Sequence, residues 1–222
     1  MSLEEISDII DTNLSSYEMG IKLDEYEKSL YLTRAQNMIY NELLQLFEKD
    51  GLISKDLEPF IQESVITTPL ARTGSIANSI FFQLPTDLRK IVYEAATLSS
   101  SDPLLSNRVV KSIKTKLAEV SRKMNSPFRE SNYEEILRVV TEDESSVSVA
   151  ELIPPTGCTF TNYRIKYIQK VTPIVLEDLP DGLEIESVSS ATNSKFNTEK
   201  LTQIIDLCIQ LILKDKSIYA KS

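Results

Sequence analysis

The sequence of 222 residues contains no histidine. Histidine is the commonest general base, the usual zinc ligand and the partner of serine or cysteine in most nucleophilic catalysts. Its absence therefore excludes the main hydrolase mechanisms and the common zinc sites. Glycine is also scarce: the five glycines form no glycine-rich phosphate-binding loop, which disfavours nucleotide-dependent enzymes.

Cysteine is nearly as rare. The two cysteines, Cys158 and Cys208, share no metal-binding spacing, and Cys208 falls within a helical pattern. A disulfide or a metal site is the alternative, but buried, reduced thiols explain both positions better. We therefore predict no metal and no cofactor for this chain.

Long apolar runs are missing as well. No window approaches the roughly 20 consecutive apolar residues that a membrane-spanning helix needs, so we expect no membrane partner. The segment from Met1 to Ile6 is acidic where a signal peptide is basic, and we expect synthesis in a cytoplasm. Hydrophobic residues make up 41% and charged residues 26%, which are the proportions of a chain that folds.

Positive charge is in deficit. The 24 lysines and arginines against 33 acidic residues give a net charge of -9, with an isoelectric point near 4.8. Such a field repels phosphate backbones, so we predict no specific binding of nucleic acid. An acidic wall beside DNA would act as a surface to which DNA does not adhere.

Two helices stand out near the ends of the chain. The first starts at Asp24, continues with apolar residues at helical spacing and ends at Gly51, which suits a left-handed C-terminal position. The second starts near Asn197 or Thr198 and runs to about Ser217. It has apolar residues on more than one face, so we expect burial on two sides, one of them against the sheet.

Between these helices, short β-branched and aromatic runs predict strands. The predicted strands cover residues 79–84, 108–113, 133–140, 147–153 and 163–168, with a weak final strand over 183–188. Residues 88–98 fit either a helix or a strand, and residues 114–124 fit a short helix. Residues 52–78 read as a connection with one helical turn near 57–63.

These elements predict an α+β fold in which a long N-terminal helix and a C-terminal helix pack on a mainly antiparallel sheet. Residues 1–20 form an N-terminal arm or short helix. Residues 21–217 form a single domain, and residues 218–222 form a C-terminal tail.

The predicted strand after residue 162 has two contrasting faces. Tyr163, Ile165 and Tyr167 point one way, whereas Arg164, Lys166 and Ile168 point the other. Together with Lys170, the basic side chains can contact phosphate or an acidic partner. The alternative is a salt-bridged sheet face with no further role.

Further interface candidates lie on the long helix. Tyrosine combines a rigid ring with a polar tip, so Tyr31 and Tyr40 suit interface anchors, and partial burial in the core is an equally good account. We take seven residues as candidate interface residues: Tyr31, Arg34, Tyr40, Arg164, Lys166, Tyr167 and Lys170. No catalytic residue is assigned.

Acidic turns are the remaining candidates for chemistry. Residues 142–144 and the pair Glu177 and Asp178 offer oxygen ligands to a divalent cation. Acidic runs at turns are more often simply solvated. The general reading is therefore a protein with no active site.

Several short motifs, in this order, resemble the ring or connector proteins of crAss-like phage virions. They are Leu84-Pro85-Thr86-Asp87, Asn125-Ser126-Pro127-Phe128-Arg129, Val149-Ala150-Glu151-Leu152-Ile153-Pro154 and Tyr163 to Leu176, followed by the closing helix. The resemblance favours a strand over residues 88–98. It implies a homo-oligomeric ring that contacts the portal and other neck or tail proteins, lets DNA pass, and belongs to a virion assembled in the host cytoplasm.

Two other functions stay open at this point. One is a small histidine-free enzyme that uses carboxylates, with or without a divalent metal. The other is a non-viral adaptor that docks its helices on a partner. The resemblance favours the ring protein over both, and we predict that the chain is not an enzyme.

Overall fold

A computed structural model describes residues 1–17, 21–72, 76, 78–126, 130–140 and 149–219. The predicted α+β class is confirmed, with helices at both ends of the chain and a mainly antiparallel sheet. The chain divides into two compact units, one formed by residues 1–60 and 171–222 and the other by residues 61–170. The single domain over residues 21–217 stays a prediction.

The first helix, α1, spans Leu3–Ser15 in the region predicted as an arm or short helix. Ser2 and Glu5 form a reciprocal capping box: the Glu5 N–H donates to Ser2 Oγ at 3.1 Å, and the Ser2 N–H donates to Glu5 Oε2 at 2.7 Å. Ile6, Ile10 and Leu14 recur every fourth residue and are buried. The helix thus contributes an apolar stripe to the first unit.

The long helix α2 spans Glu25–Asp50, as predicted. Asp24 caps its start by accepting a hydrogen bond from the Glu27 N–H at 2.7 Å. Gly51 ends it with a left-handed φ of 69°, and its N–H donates to Phe47 O at 2.8 Å. Both ends of α2 could therefore be read from local residue chemistry.

A buried lysine joins these two helices. Lys28 is 2% exposed, and its Nζ donates to Asp11 Oδ2 at 2.7 Å, to Glu25 Oε1 at 2.8 Å and to Ser7 Oγ at 2.9 Å. Burial lowers the pKa of a lysine, but the hydrogen bonds with Asp11 and Glu25 outweigh burial and raise the pKa of Lys28. The ammonium group therefore stays charged and ties α1 to α2.

The closing helix α4 spans Thr198–Tyr219. The side chain of Asn197 caps it by accepting from the Lys200 N–H at 2.8 Å. The helix packs against α1 and α2 within the first unit. Its buried apolar residues are Leu201, Ile204, Ile205, Cys208, Ile209, Leu211 and Ile212.

Polar side chains of α2 bind an extended segment that precedes α4. The Thr33 hydroxyl accepts from the Ile174 N–H at 3.1 Å and donates to Ile174 O at 3.2 Å. Ser29 Oγ accepts from the Leu176 N–H at 2.9 Å, and Gln36 Nε2 donates to Thr172 O at 2.7 Å. One face of a helix therefore satisfies the backbone groups that a neighbouring strand would otherwise pair.

The predicted final strand over residues 183–188 is wrong. Ile185 and Val188 form an isolated bridge, and between them Glu186 and Ser187 adopt φ values of 49° and 67°. Two consecutive left-handed residues reverse the chain, as in the tight turns that close hairpins. The apolar spacing here marks a reversal with buried Ile185, rather than an extended strand.

The second unit is built on one eight-stranded sheet. Its strands are β1 Ile61–Ile66, β2 Pro69–Leu70, β3 Ile80–Gln83, β4 Leu88–Ser100, β5 Val109–Lys116, β6 Glu135–Val140, β7 Val149–Ile153 and β8 Cys158–Gln169. The spatial order is β1-β8-β4-β5-β6-β7-β3-β2, so β1 and β2 are the edge strands. The predicted strand character of residues 88–98 is confirmed by β4.

One neighbouring pair in the sheet, β5 with β6, is parallel. A parallel pair needs a crossover connection, and the helix α3, Leu117–Met124, lies in it. Val120 of α3 packs with Leu137, Val139 and Ile153 in a small apolar cluster. The boundary between β5 and α3 falls at residue 117, three residues later than the sequence pattern predicts.

Two strands were missed in the sequence. β1 and β2 lie in residues 52–78, for which the sequence predicts a connection, and the predicted turn there is the 3₁₀ helix Glu58–Phe60. Every residue of β1 is exposed or half-buried, so β1 lacks the apolar alternation by which strands are recognised. β2 has two residues, too few to give any pattern.

The main core lies on one face of the sheet. Tyr163 is fully buried at its centre, and its ring lies 5.6 Å from the ring of Phe82. Leu98, Val110, Ile136 and Leu152 come from four further strands and are 0% exposed. Apolar burial on this face is the main stabilising contribution in the second unit.

Candidate assembly surfaces

Strand β8 presents two different faces, as predicted. Tyr163, Ile165 and Tyr167 are at most 6% exposed, whereas Arg164 and Lys166 are exposed. The period of two along a strand produces this separation. β8 lies between β1 and β4, so its exposed residues belong to a face shared with both neighbours.

The exposed face of β8 carries an ion pair with β1. Arg164 Nε lies 3.6 Å from Glu63 Oε1, and both side chains are more than half exposed. Lys166 lies opposite Glu63 in the register of β1 and opposite Tyr93 in that of β4. An exposed ion pair of this kind contributes about 0–1 kcal/mol to stability. Both side chains can therefore exchange this partner for another.

Tyr167 and Lys170 both hold the turn before β4. The Tyr167 hydroxyl donates to Asp87 Oδ1 at 3.0 Å. The Lys170 N–H donates to Asp87 O at 2.6 Å, and Lys170 Nζ donates to Thr86 O at 3.1 Å. Both residues therefore have a role within the fold, whether or not they also contact a partner.

Ionisation of the Tyr167 hydroxyl is expected to lower the stability of the fold at alkaline pH. Burial and the hydrogen bond to Asp87 raise the pKa of Tyr167 from 10.0 to about 12. A raised folded-state pKa stabilises the fold below the unfolded pKa and loses that contribution as pH rises through the folded value. The contribution of Tyr167 is therefore complete below about pH 10 and is lost towards about pH 12.

We predict that Tyr167→Phe lowers the free energy of unfolding by about 1 kcal/mol at neutral pH, because a partly buried hydrogen bond to Asp87 is lost. The difference should shrink above pH 10 and reverse near pH 12, since phenylalanine cannot ionise. Urea unfolding across this pH range checks both effects. Tyr133→Phe, at an exposed ring, is the matched control. If the difference in the free energy of unfolding between the wild type and Tyr167→Phe is unchanged at about pH 12, the raised pKa of Tyr167 is contradicted.

Tyr31 and Arg34 lie together in a polar contact between α2 and α4. Arg34 Nη1 lies 3.3 Å from Asp215 Oδ2, and Glu27 Oε1 lies 3.7 Å from Lys216 Nζ. Burial, the charge of Asp215 and a hydrogen bond to it all raise the pKa of Tyr31. The structure thus brings these two candidates together, but through a carboxylate of the same chain.

Tyr40 lies in the core of the first unit. It is 3% exposed, and its ring centroid is 5.4 Å from that of Phe60, which lies 4.8 Å from that of Phe196. Tilted rings at these distances are a favourable aromatic arrangement. Tyr40 is therefore a core residue of the folded first unit, with almost no exposed surface.

Sequence reasoning missed a buried charged network inside the second unit. Arg138 Nε lies 2.6 Å from Glu94 Oε2, and both side chains are less than a tenth exposed. The Tyr163 hydroxyl donates to the same carboxylate oxygen. Burial and the charge of Glu94 raise the pKa of Tyr163 well above its usual value, although Arg138 acts in the opposite direction.

A signal for this network was present in the sequence. Glu94 interrupts the run Ile91-Val92-Tyr93 before Ala95, and Arg138 interrupts the apolar run of β6. A single charge within a buried strand is rarely tolerated unless it is paired. Two such interruptions of opposite sign predict one buried ion pair.

Next to this network, the sheet opens between β4 and β5. Their ladder comprises Ala95 with Lys111, Ala96 with Val110 and Thr97 with Val109. Before Ala95, β4 continues to pair with β8 but no longer with β5. After Lys111, β5 continues to pair with β6 but no longer with β4. A cavity of about 220 Å³ lies at the opening, lined by Lys90, Ile91, Val92, Tyr93, Glu94, Lys111, Ser112, Lys114 and Arg138.

The described residues offer few groups for metal or thiol chemistry. In the described part of the chain, no group of three or more acidic or cysteine side chains could hold a metal ion, and the predicted acidic turn 142–144 lies outside it. Cys158 and Cys208 are both buried and free, as predicted, and burial raises the pKa of Cys208 to about 12. None of the described helices is sufficiently long and apolar to cross a membrane.

Comparison with known proteins identifies relatives of this chain. The profile of the family described as "Phage tail ring protein 3/4" matches residues 1–222. "Ring protein 3" of Bacteroides phage crAss001 is 31% identical over 232 residues, covering 98% of this chain and 97% of that protein. "Ring protein 4/5" of the same phage is 26% identical over 230 residues, covering 95% and 92% respectively. The similarity therefore extends over the whole chain.

Proposed function

Since the chain belongs to the phage tail ring protein 3/4 family, we propose that it forms a homo-oligomeric ring in the head-to-tail connector or neck of a tailed phage. The ring contacts the portal and other neck or tail proteins. It links the head to the tail and lets DNA pass through its centre. The observation that carries this proposal is the full-length match to the family.

Family membership by itself gives the kind of protein that this chain is. The chain is a structural ring protein of a crAss-like phage, and a ring implies oligomeric assembly and a place in the virion. The names of both relatives describe rings, which favours a structural role over catalysis. The placement next to the portal and the passage of DNA are the parts that we propose.

Ring closure sets a physical requirement that the chain can meet. A ring built from one repeated heterologous contact needs two different, complementary surfaces on each subunit. The exposed basic side chains of Arg164 and Lys166 on β8 contrast with an overall charge of -9. Surfaces of opposite charge on one subunit favour contact between unlike faces over contact between like faces.

The overall charge also fits a passage for DNA. Negative charge repels the phosphate backbone, so DNA that moves past an acidic wall is not retained by it. We expect the purified chain to show no binding of duplex DNA at physiological salt. Fluorescence anisotropy with a labelled duplex measures this, and tight, salt-sensitive binding would contradict a passive passage.

Electron microscopy tests the ring directly. We expect the purified chain, alone or mixed with the portal protein of its phage, to give closed rings of one rotational symmetry in negative stain. Sedimentation over a range of concentrations should show one large species beside the monomer. A folded chain that stays monomeric both alone and with the portal would overturn the proposal.

Cross-linking of intact virions tests the placement separately. Lysine cross-links from this chain to the portal or to neighbouring neck or tail proteins are expected. Cross-links to the major capsid protein or to tail fibres alone would contradict the connector or neck position, while leaving the ring itself in place. Circular dichroism of the purified chain confirms that each preparation is folded.

A further inference from the structure

The loop between β4 and β5, residues 101–108, carries an exposed leucine. Leu104 is 87% exposed, whereas the neighbouring Leu105 is turned inward and packs against the main core of the sheet. A single exposed leucine is common on protein surfaces, so its meaning depends on how it is held and on what it can meet.

Hydrogen bonds give this loop a defined conformation. The Leu104 N–H donates to Asp102 Oδ1 at 2.9 Å, and the Leu105 N–H donates to Asp102 O at 3.1 Å. At the base of the loop, the Asn107 N–H donates to Leu98 O at 2.9 Å. A loop that is already ordered loses little conformational entropy when it binds, so Leu104 is presented as a preformed contact.

A groove in the first unit has the composition to receive an apolar side chain. It has a volume of about 430 Å³ and lies between α2 and the chain reversal around Ile185. Leu30 and Met38 line it and are 41% and 48% exposed. They lie on one face of α2 with Arg34 between them, because the three residues are spaced by four. Apolar side chains with polar neighbours are the usual composition of a protein interface.

The groove is negatively charged. Glu184 and Glu186 belong to its lining. Glu186 accepts from the neutral side chain of Asn37 at 2.7 Å, which leaves the charge of the carboxylate in place. Arg34, also in the lining, already pairs with Asp215 at 3.3 Å. The groove therefore favours an occupant that combines an apolar side chain with a basic one.

The loop that carries Leu104 leads into a basic stretch of the chain. Residues 103–116 contain four basic side chains and no acidic one. The first of these is Arg108, whose Nη2 lies 3.7 Å from Glu134 Oε1 in a pair that is exposed on both sides. A long, exposed pair is weak, so Arg108 can exchange Glu134 for another carboxylate. The loop thus matches the groove in both apolar character and charge.

We propose that the loop between β4 and β5 of one subunit inserts Leu104 into this groove on a second copy of the chain. The leucine packs between Leu30 and Met38, and Arg108 pairs with Glu184. The inference rests on the proposed ring, because a contact between two different surfaces, loop and groove, is the repeated heterologous contact that closes a ring.

A second copy suits the groove better than DNA does. The carboxylates of Glu184 and Glu186 repel a phosphate backbone, and the apolar side chains of the groove offer it no hydrogen-bond donors. A ring also brings further copies of the same chain into contact, so the loop of a neighbour is present wherever the groove is.

Disulfide formation between two different chains tests the contact. Chains with Leu104→Cys alone are mixed with chains with Met38→Cys alone and oxidised under the conditions in which the wild type forms rings. We expect linked dimers with one chain of each kind, at a yield about tenfold above that of either variant alone, because a heterologous contact does not bring identical positions together. Cys158 and Cys208 are buried and should stay reduced. Leu52→Cys, at a leucine that is 76% exposed, replaces Leu104→Cys in the matched control.

Substitutions on both surfaces test how much the contact contributes. Leu104→Asp should weaken self-association by about tenfold or more in sedimentation, because it removes buried apolar area and brings a carboxylate to an acidic groove. Leu52→Asp makes the same change elsewhere and should stay within about twofold of the wild type. Arg108→Glu and Glu184→Arg should each weaken association by about threefold, and both together should restore it to within about twofold.

The outcomes separate this contact from the ring itself. Wild-type rings without mixed disulfides above the control level overturn the contact and leave the proposed function in place. Equal association of Leu104→Asp and Leu52→Asp overturns it too, as does a combined charge exchange that associates no better than its single variants. Leu104→Cys that joins only another virion protein also overturns it. A folded wild type that forms no ring, alone or with the portal, overturns the proposed function and this contact with it. Circular dichroism confirms that every variant is folded.

Discussion

Replacing Glu94 with alanine is expected to lower the free energy of unfolding by about 3–5 kcal/mol. Glu94 and Arg138 form a buried pair, and Tyr163 also donates to the Glu94 carboxylate. Removing one partner of a buried pair is costly because the other charge stays in an environment with little water. Urea denaturation followed by circular dichroism measures the change.

Two further variants test the cause of this effect. Glu63→Ala removes the carboxylate of the exposed pair with Arg164 and should cost less than about 1 kcal/mol. Glu94→Ala combined with Arg138→Met should recover part of the lost stability, because the uncompensated charge is removed as well. An effect of Glu94→Ala no larger than that of Glu63→Ala would contradict a stabilising role of the buried network.

The second large effect concerns the contact between α2 and the segment before α4. Thr33→Val keeps the shape of the side chain and removes the hydroxyl that bonds both backbone groups of Ile174. A buried group that loses its partner costs about 1–3 kcal/mol, so the loss of two predicts a decrease of about 2–6 kcal/mol in the free energy of unfolding.

Thr33→Ser provides the matched control for this prediction. It retains the hydroxyl and removes one methyl group, so it should cost about 1 kcal/mol or less. Hydrogen exchange of the Ile174 amide gives a second measurement: its protection should fall in Thr33→Val and persist in Thr33→Ser. Equal effects of both substitutions would assign the stabilisation to packing instead of hydrogen bonding.

The helical part of the fold could be predicted because its signals are local. Asp24, Gly51 and Asn197 mark helix ends by chemistry that acts within one turn. Apolar residues at helical spacing then give the length of α2 and α4. The identification as a ring protein of crAss-like phages, made from short motifs and their order, is confirmed by the full-length family match.

The strands were predicted less completely, because several depend on their neighbours. β1 is held by pairing with β8 along its whole length, and none of its residues is fully buried. Strand formation in such a segment comes from the adjacent strand rather than from its own pattern. The predicted strand over residues 183–188 failed for a different reason: the segment is a chain reversal, in which Ile185 is buried while Leu183 is exposed.

The candidate interface residues show the same dependence on tertiary structure. The sequence places Tyr31 and Arg34 on α2, but it does not show that Asp215 lies beside them. Tyr40 could be either core or surface until its position against Phe60 was known. The use of Arg164, Lys166 and Lys170 in contacts between subunits stays a prediction.

The two edge strands of the sheet bear on whether many copies of the chain can be present together without aggregating. β2 is two residues long and begins with Pro69, which has no N–H to offer another strand. The opposite edge, β1, carries the exposed charge of Glu63. Short, proline-containing or charged edges resist the strand-to-strand stacking that leads to fibrils. We therefore expect copies of this chain to resist uncontrolled strand pairing at high concentration.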